Sequence, residues 1–168
     1  MLDLQVFLLV AAGLAEGRKN KWKNFKDFDY LVVGDYFIGF IEAESMCVNR
    51  SAHLASIHSK EENDFILNLA PNHSVIGGAH DIPIYNMWIG GYMAQSWQWT
   101  DLTDWNYTNW EKREPNNYLA LGKCAFMYTR RSHEHKAGKW SDYKCHGELL
   151  YYVCKRPANI SRSYCPMI

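Results

Sequence analysis

Met87-Trp88-Ile89-Gly90-Gly91, followed closely by Trp97-Gln98-Trp99-Thr100-Asp101, is the stretch on which the fold turns. The first piece is a continuous apolar run closing on two glycines, as a buried strand would. The second alternates in side-chain character and then enters a turn. Around them, residues 72–140 are rich in Gly, Asn, Asp, Thr and Trp and show no helical period. This part therefore reads as short strands joined by long loops. Cys124-Ala125-Phe126-Met127-Tyr128, Tyr151-Tyr152-Val153-Cys154 and Leu31-Val32-Val33 are further strand candidates. Long irregular loops are uncommon in a compact domain unless they are functional, and something must then hold them.

Before that stretch the period is helical. Phe40, Ala43 and Cys47 share one face of a helix expected over residues 37–48. A second helix is expected after Ser59, with Glu62 completing a capping box and Phe65, Ile66 and Leu69 supplying the buried face. Pro71 ends it. Two helices followed by a loop-rich sheet give an α+β fold.

The 168 residues suit one domain, and 48% hydrophobic against 21% charged residues is a globular balance. Eighteen basic and eighteen acidic residues cancel, so no global field draws the chain to nucleic acid or to an anionic membrane. Seven Trp, eleven Tyr and seven Phe can fill a core even where regular structure is sparse. Residues 4–15 form an apolar run of signal-peptide length, too short to span a bilayer, with Gly13 and Ala15 placed as a cleavage site requires. Asp3 and the lack of Lys or Arg ahead of the run are atypical, and an N-terminal core segment is the competing reading. Residues 1–15 are expected to be a signal peptide, residues 16–157 the domain and residues 158–168 a tail, in a secreted protein without membrane insertion.

Secretion agrees with four N-glycosylation triplets, at Asn49, Asn72, Asn106 and Asn159. It also agrees with Cys47, Cys124, Cys145, Cys154 and Cys165, which suit a disulfide framework. Four of these cysteines allow three pairings, and spacing alone does not choose. Cys165 is left over in the tail, where it either joins two copies covalently or remains a lone thiol.

The pieces also occur in a recognisable order. Ala43 and Cys47, then Ala52-His53-Leu54-Ala55-Ser56-Ile57-His58-Ser59, Trp88-Ile89-Gly90-Gly91, Trp97-Gln98-Trp99-Thr100-Asp101, Tyr107-Thr108-Asn109-Trp110, Glu114-Pro115-Asn116, Gly138-Lys139-Trp140-Ser141-Asp142, Cys145 and Tyr152-Val153-Cys154 together resemble the C-type lectin domain. The resemblance implies two helices flanking two small antiparallel sheets, with a long loop region that carries the ligand site. It implies disulfides Cys47–Cys154 and Cys124–Cys145. Two cysteines that longer members carry near the N-terminus are replaced by Arg18 and Asp29, so the chain resembles the short form.

What the resemblance implies for function is a calcium-dependent sugar site. Calcium takes about six to eight oxygen ligands at about 2.3–2.6 Å. Glu114, Asn116 and Asp142 match ligand positions, Ser141 stands where a stronger ligand is usual, and Tyr118 flanks them as a surface for a sugar face. The order Glu-Pro-Asn is the one associated with mannose, N-acetylglucosamine and fucose, and the family's proline there is cis. Gly122 replaces an acid, with Lys123 beside it, so calcium is expected to bind more weakly than in intact members. Met93-Ala94 lie where a second calcium site would need acids. The partners implied are glycans or glycoproteins. The alternative is a calcium-independent module that binds a protein ligand on the same surface.

Other constellations carry less. His133-Glu134-His135 lacks a third ligand nearby and reads as a solvated loop. Arg130, Arg131, His133, His135, Lys136 and Lys139 form a basic stretch that either attracts anionic glycans or simply faces solvent. Trp88, Trp99, Trp110 and Trp140 are expected in the core, and Trp105 nearer the surface. No nucleophile elbow, zinc-protease helix or phosphate loop is present, so a binding module and not an enzyme is expected.

Overall fold

A computed structural model describes residues 21–34, 37–71 and 86–158. The expected signal peptide, the glycosylation triplets at Asn72 and Asn159, and Cys165 lie outside the described residues.

Helix α1 spans Phe40–Val48, starting later than the pattern suggested. The reason is a strand: β3, Ile38–Gly39, pairs with β9, Glu148–Leu149, and leaves Phe37 42% exposed before the helix can begin. Phe40, Ala43 and Cys47 are buried on one face, as their spacing predicts. Helix α2 spans Lys60–Leu69. Ser59 caps it by accepting the Glu62 N–H at 3.1 Å, and Ala70, held extended ahead of Pro71, ends it.

The capping box itself is only half formed. Glu62 does not reach back to Ser59; its Oε2 accepts the His58 N–H at 2.7 Å. Its Oε1 accepts from Lys155 Nζ at 2.6 Å and from the Tyr30 hydroxyl. The fully buried positions of α2 are Glu62, Asn63 and Ile66, while Phe65 and Leu69 are only partly covered. A buried carboxylate needs partners to offset its lost hydration, and Glu62 has three.

The remaining strands are β1 (Lys23–Phe25), β2 (Phe28–Val33), β4 (His53–Leu54), β5 (Asn86–Met93), β6 (Trp97–Trp99), β7 (Gly122–Tyr128), β8 (Trp140–Lys144) and β10 (Tyr151–Pro157). The α+β order is as expected. The main ladder runs β1-β2-β10-β5-β7-β8, with β4 joined to β10 and β6 to β5. One join is parallel: Tyr151 and Tyr152 of β10 face Met87 and Trp88 of β5. That join fuses β1, β2 and β10, drawn from the two ends of the domain, with β5, β7 and β8 from its middle into a single sheet, beside the small β3–β9 pair.

Two apolar clusters fill the interior. One gathers Phe40, Cys47, Leu54, Trp88, Tyr152 and Cys154 between α1 and the sheet. The other gathers Ile57, Ile66, Trp99, Met127, Trp140 and Val153 under α2. Cys47 pairs with Cys154 and Cys124 with Cys145, with Cα–Cα separations of 5.4 and 5.2 Å. The first bond ties α1 to β10; the second ties β7 to the segment after β8.

The loop-rich part is held by tryptophans. Trp105 packs on Trp99 at 4.2 Å between ring centroids, and Trp97 on Trp110 at 4.7 Å. Trp99, Trp105 and Trp110 all meet Trp140. Trp105 is thus half-buried in the ring stack and not a surface residue. Each such pair adds about 0.5–1.5 kcal/mol beyond its area burial. Asn63 fixes the stack from α2: its Oδ1 accepts the Trp140 indole N–H at 2.7 Å, and its Nδ2 donates to the Gly138 carbonyl at 3.1 Å.

Asp29, one of the positions lacking a cysteine, lies opposite Arg156 in the β2–β10 register, 3.8 Å from its Nε. The Arg156 guanidinium in turn lies 3.9 Å from the centroid of the Trp22 ring. An ion pair and a cation–π contact thus link Asp29, Arg156 and Trp22 at this end of the sheet.

Candidate functional site

The long loop after Trp110 is fastened to β8 before it reaches the site. Glu111 donates its N–H to the Trp140 carbonyl at 2.8 Å, and its carboxylate accepts the Lys136 N–H at 2.7 Å. Arg113, Asn117 and Ala120 have positive φ, at 72°, 47° and 59°. Non-glycine residues rarely adopt such values, and they persist where the surroundings hold the chain. The Glu114–Pro115 bond between them is cis.

The anchor is Asp142, in mid-β8 opposite Ala125. Its Oδ1 accepts the Asn116 N–H and its Oδ2 the Asn117 N–H, both at 2.8 Å. Asn116 then spreads its own side chain. Its Nδ2 donates to Glu114 Oε1 at 2.8 Å, and its Oδ1 accepts the Tyr118 N–H at 2.8 Å. Tyr118, in the short 3₁₀ turn Tyr118–Ala120, is 73% exposed beside them. Ser141 is buried under the loop.

Glu114, Asn116, Ser141 and Asp142, separated in sequence, are therefore neighbours in space. Burial and the adjacent Asp142 carboxylate push the Glu114 carboxyl above its ordinary range, partly offset by Ser141 and Asn116. Glu114 Oε2 is buried and has no hydrogen-bond partner among the described residues. A buried acceptor without a donor is costly, on the order of 1–3 kcal/mol. A bound cation would remove that cost and the repulsion from Asp142 together.

These residues fit a calcium ion, with limits. They offer hard oxygens of the right type, and carboxylate and amide oxygens that already accept one N–H keep a second lone pair. Only two carboxylates converge, however; among the described residues no group of three or more His, Cys, Asp or Glu is placed to hold a metal. Gly122 explains part of the shortfall. A Cβ at that position would lie 1.8 Å from Asp142 Oδ2 and 3.1 Å from Asn117 Cα. The Asp142 carboxylate fills the volume that a side chain at 122 would need.

Two contributors were not legible in the sequence. Asn117 presents its N–H to Asp142 from a left-handed conformation that Asn tolerates better than most residues. Glu111 docks the loop through a backbone contact that no motif announces. Elsewhere, His135 stacks on Tyr128 at 4.1 Å and lies 3.7 Å from Glu134. The basic stretch runs as the loop that Glu111 holds by the Lys136 N–H.

Residues 38–156 match the family model described as the lectin C-type domain. The chain belongs to this family. The C-type lectin lectoxin-Lio1 of Erythrolamprus poecilogyrus is 30% identical, over 80% of this chain and 77% of its own length. Among solved structures, the cow C-type carbohydrate-recognition domain of CD23, crystallised in the presence of a GlcNAc2Man3 oligosaccharide, is similar. It has 29% identity and a TM-score of 0.67, covering 84% of this chain and 97% of that one. A calcium-independent type II antifreeze protein is nearly as similar, at 26% identity and a TM-score of 0.66, covering 84% and 95%. The C-type lectin fold of the chain is thus shared by a structure determined with an oligosaccharide and by one described as calcium-independent.

Proposed function

We propose that the chain is a secreted carbohydrate-binding module, not an enzyme, whose site is the Glu114-Pro115-Asn116 loop over Ser141 and Asp142. The observation that carries this reading is the buried, donorless Glu114 Oε2 beside a second carboxylate. A calcium ion of weakened affinity completes the site. Glu114, Asn116, Asp142 and Ser141 would hold it, and it would supply electrostatic attraction for the hydroxyl oxygens of a mannose-type sugar.

The chain's own residues orient the sugar. Glu114 accepts from a hydroxyl, the Asn116 amide donates to its neighbour, and the Tyr118 ring lies alongside. The acid-before-amide order is what favours mannose, N-acetylglucosamine or fucose. Asp142 holds the loop by two backbone N–H groups, so the loop keeps its shape before any ion arrives. That same contact favours the second reading, a calcium-independent surface for a protein ligand, because Asp142 is already satisfied.

Calorimetric titration with calcium, and mannan retention with and without chelator, separate the two. The expected result is calcium binding, retention lost in chelator, and both abolished by Glu114→Ala. Retention of a ligand that chelator does not touch overturns the calcium-dependent reading. N-glycans are proposed at Asn49 and Asn106, which are exposed. Release of glycan by an amidase, followed by mass spectrometry, checks them.

A further inference from the structure

Toward the β1–β2 edge of the ladder, away from Asp142, the ends of α1 and β10 enclose a groove of about 430 Å³. Phe28, Val48, Ser51, His53, Arg156 and Pro157 are among its walls. Phe28 is 36% and Val48 51% exposed, so two apolar side chains stand open there. The Lys155 ammonium, 4.3 Å from the Phe28 ring centroid, holds that ring in place. Uncovered apolar surface rimmed by polar groups marks a place that something occupies. Asn49 is exposed and opens the triplet Asn49-Arg50-Ser51, so it lies in the chain between two of these walls, Val48 and Ser51. Its turn is fixed. The N–H groups of Asn49, Arg50 and Ser51 donate to the carbonyls of Ser45, Cys47 and Val48 at 3.0, 2.8 and 2.9 Å.

We propose that this groove receives the first saccharide of an N-glycan carried by Asn49, so that the chain covers its own apolar surface with sugar. The ligand is an N-acetylglucosamine ring tethered covalently at the rim. A pyranose presents an apolar C–H face bordered by polar groups. Phe28 and Val48 suit that face, and His53, Thr103 and Arg156 stand around it as hydrogen-bonding partners. The groove volume falls within the roughly 300–1,000 Å³ of small-molecule sites. Tethering decides between this occupant and a free one. One sugar against one ring and one Val is a weak contact, but a short link supplies an effective concentration on the order of millimolar. The inference rests on the reading of the chain as secreted and of Asn49 as glycosylated, and it is independent of the calcium site.

The test uses the full chain secreted by a glycosylating host and trimmed by an endoglycosidase to one N-acetylglucosamine at each occupied triplet. Nuclear Overhauser contacts from a sugar to Phe28 and Val48 are expected, and Asn49→Gln is expected to remove them. Asn49→Gln is also expected to lower the thermal midpoint by about 2–4 °C, as uncovering these two side chains implies. Within a Val48→Ser chain the same change is expected to cost about half as much, because part of the contact is already gone. A sugar present on Asn49 without these contacts and with an unchanged midpoint overturns the proposal and leaves the secreted reading standing. A bare Asn49 by mass spectrometry overturns it together with that glycosylation site. If the trimmed protein sediments as a dimer in which Phe28 meets another copy, the groove belongs to a second chain and the proposal falls. No step uses calcium or added sugar, so failure of the mannose-type reading leaves this result untouched.

Discussion

Gly122 and Asp142 act as one unit at the residue scale. The glycine leaves room, and the carboxylate uses it to hold two successive N–H groups of the long loop. Gly122→Ala forces the carboxylate out of its seat, because the added carbon would lie 1.8 Å from Oδ2. The expected cost is about 1–3 kcal/mol, the size of losing hydrogen bonds to a charged acceptor. Faster proteolytic cleavage within residues 111–122, together with a lower thermal midpoint, would confirm it. An unchanged midpoint and cleavage pattern would show that the clamp is dispensable. The sequence grouped Glu114, Asn116, Ser141 and Asp142, and these four are neighbours in space. Their hydrogen-bonding was not legible there, because whether an acid faces an ion or a backbone N–H depends on space left by a residue elsewhere in the chain.

Between elements, the informative contact is α2 against β10. Glu62 and Lys155 form a pair whose side chains are 8% and 4% exposed, with Tyr30 and Ser56 completing their hydrogen bonds. Removing one partner leaves the other charge buried alone, which typically costs about 3–5 kcal/mol. Lys155→Met is therefore expected to be severely destabilising in urea titration. Glu62→Leu combined with Lys155→Met should recover much of the loss, and a double mutant as unstable as the single would refute the pairing. The sequence showed where both elements lie but not this link. Glu62 fits a helix cap locally, and only the approach of β10 recruits its carboxylate elsewhere. The late start of α1 has a similar cause, since the pairing of Ile38 with Leu149 is invisible to any local period. The alternating and apolar strands, by contrast, were readable because one or both faces of each meet the core.

For the molecule as a whole, the two disulfides close loops of very different length, with sequence separations of 107 and 21. In the chain-entropy model the longer contributes about 4–5 kcal/mol and the shorter about 3 kcal/mol. Replacing Cys47 and Cys154 by Ala should lower the unfolding midpoint more than replacing Cys124 and Cys145. The second pair should instead weaken sugar retention more, because it braces β7 beside the site. Thermal unfolding and mannan retention of the two double variants check both halves, and the reverse ranking in either would count against this division of labour.

The ladder order has a practical consequence. β1 and β2 form one edge, β8 carries Asp142 at the other, and five strand spacings of about 4.8 Å put them roughly 24 Å apart. The first described residues lead straight into β1, the edge strand, and Ala158 bonds to Asp27 in the turn between β1 and β2, so both ends of the described domain depart on that side of the sheet. A tether, tag or neighbouring module attached at either end would leave the Glu114 loop facing outward. Arrays of this domain on a bead or a cell could therefore engage a dense glycan layer without turning their recognition faces toward the support.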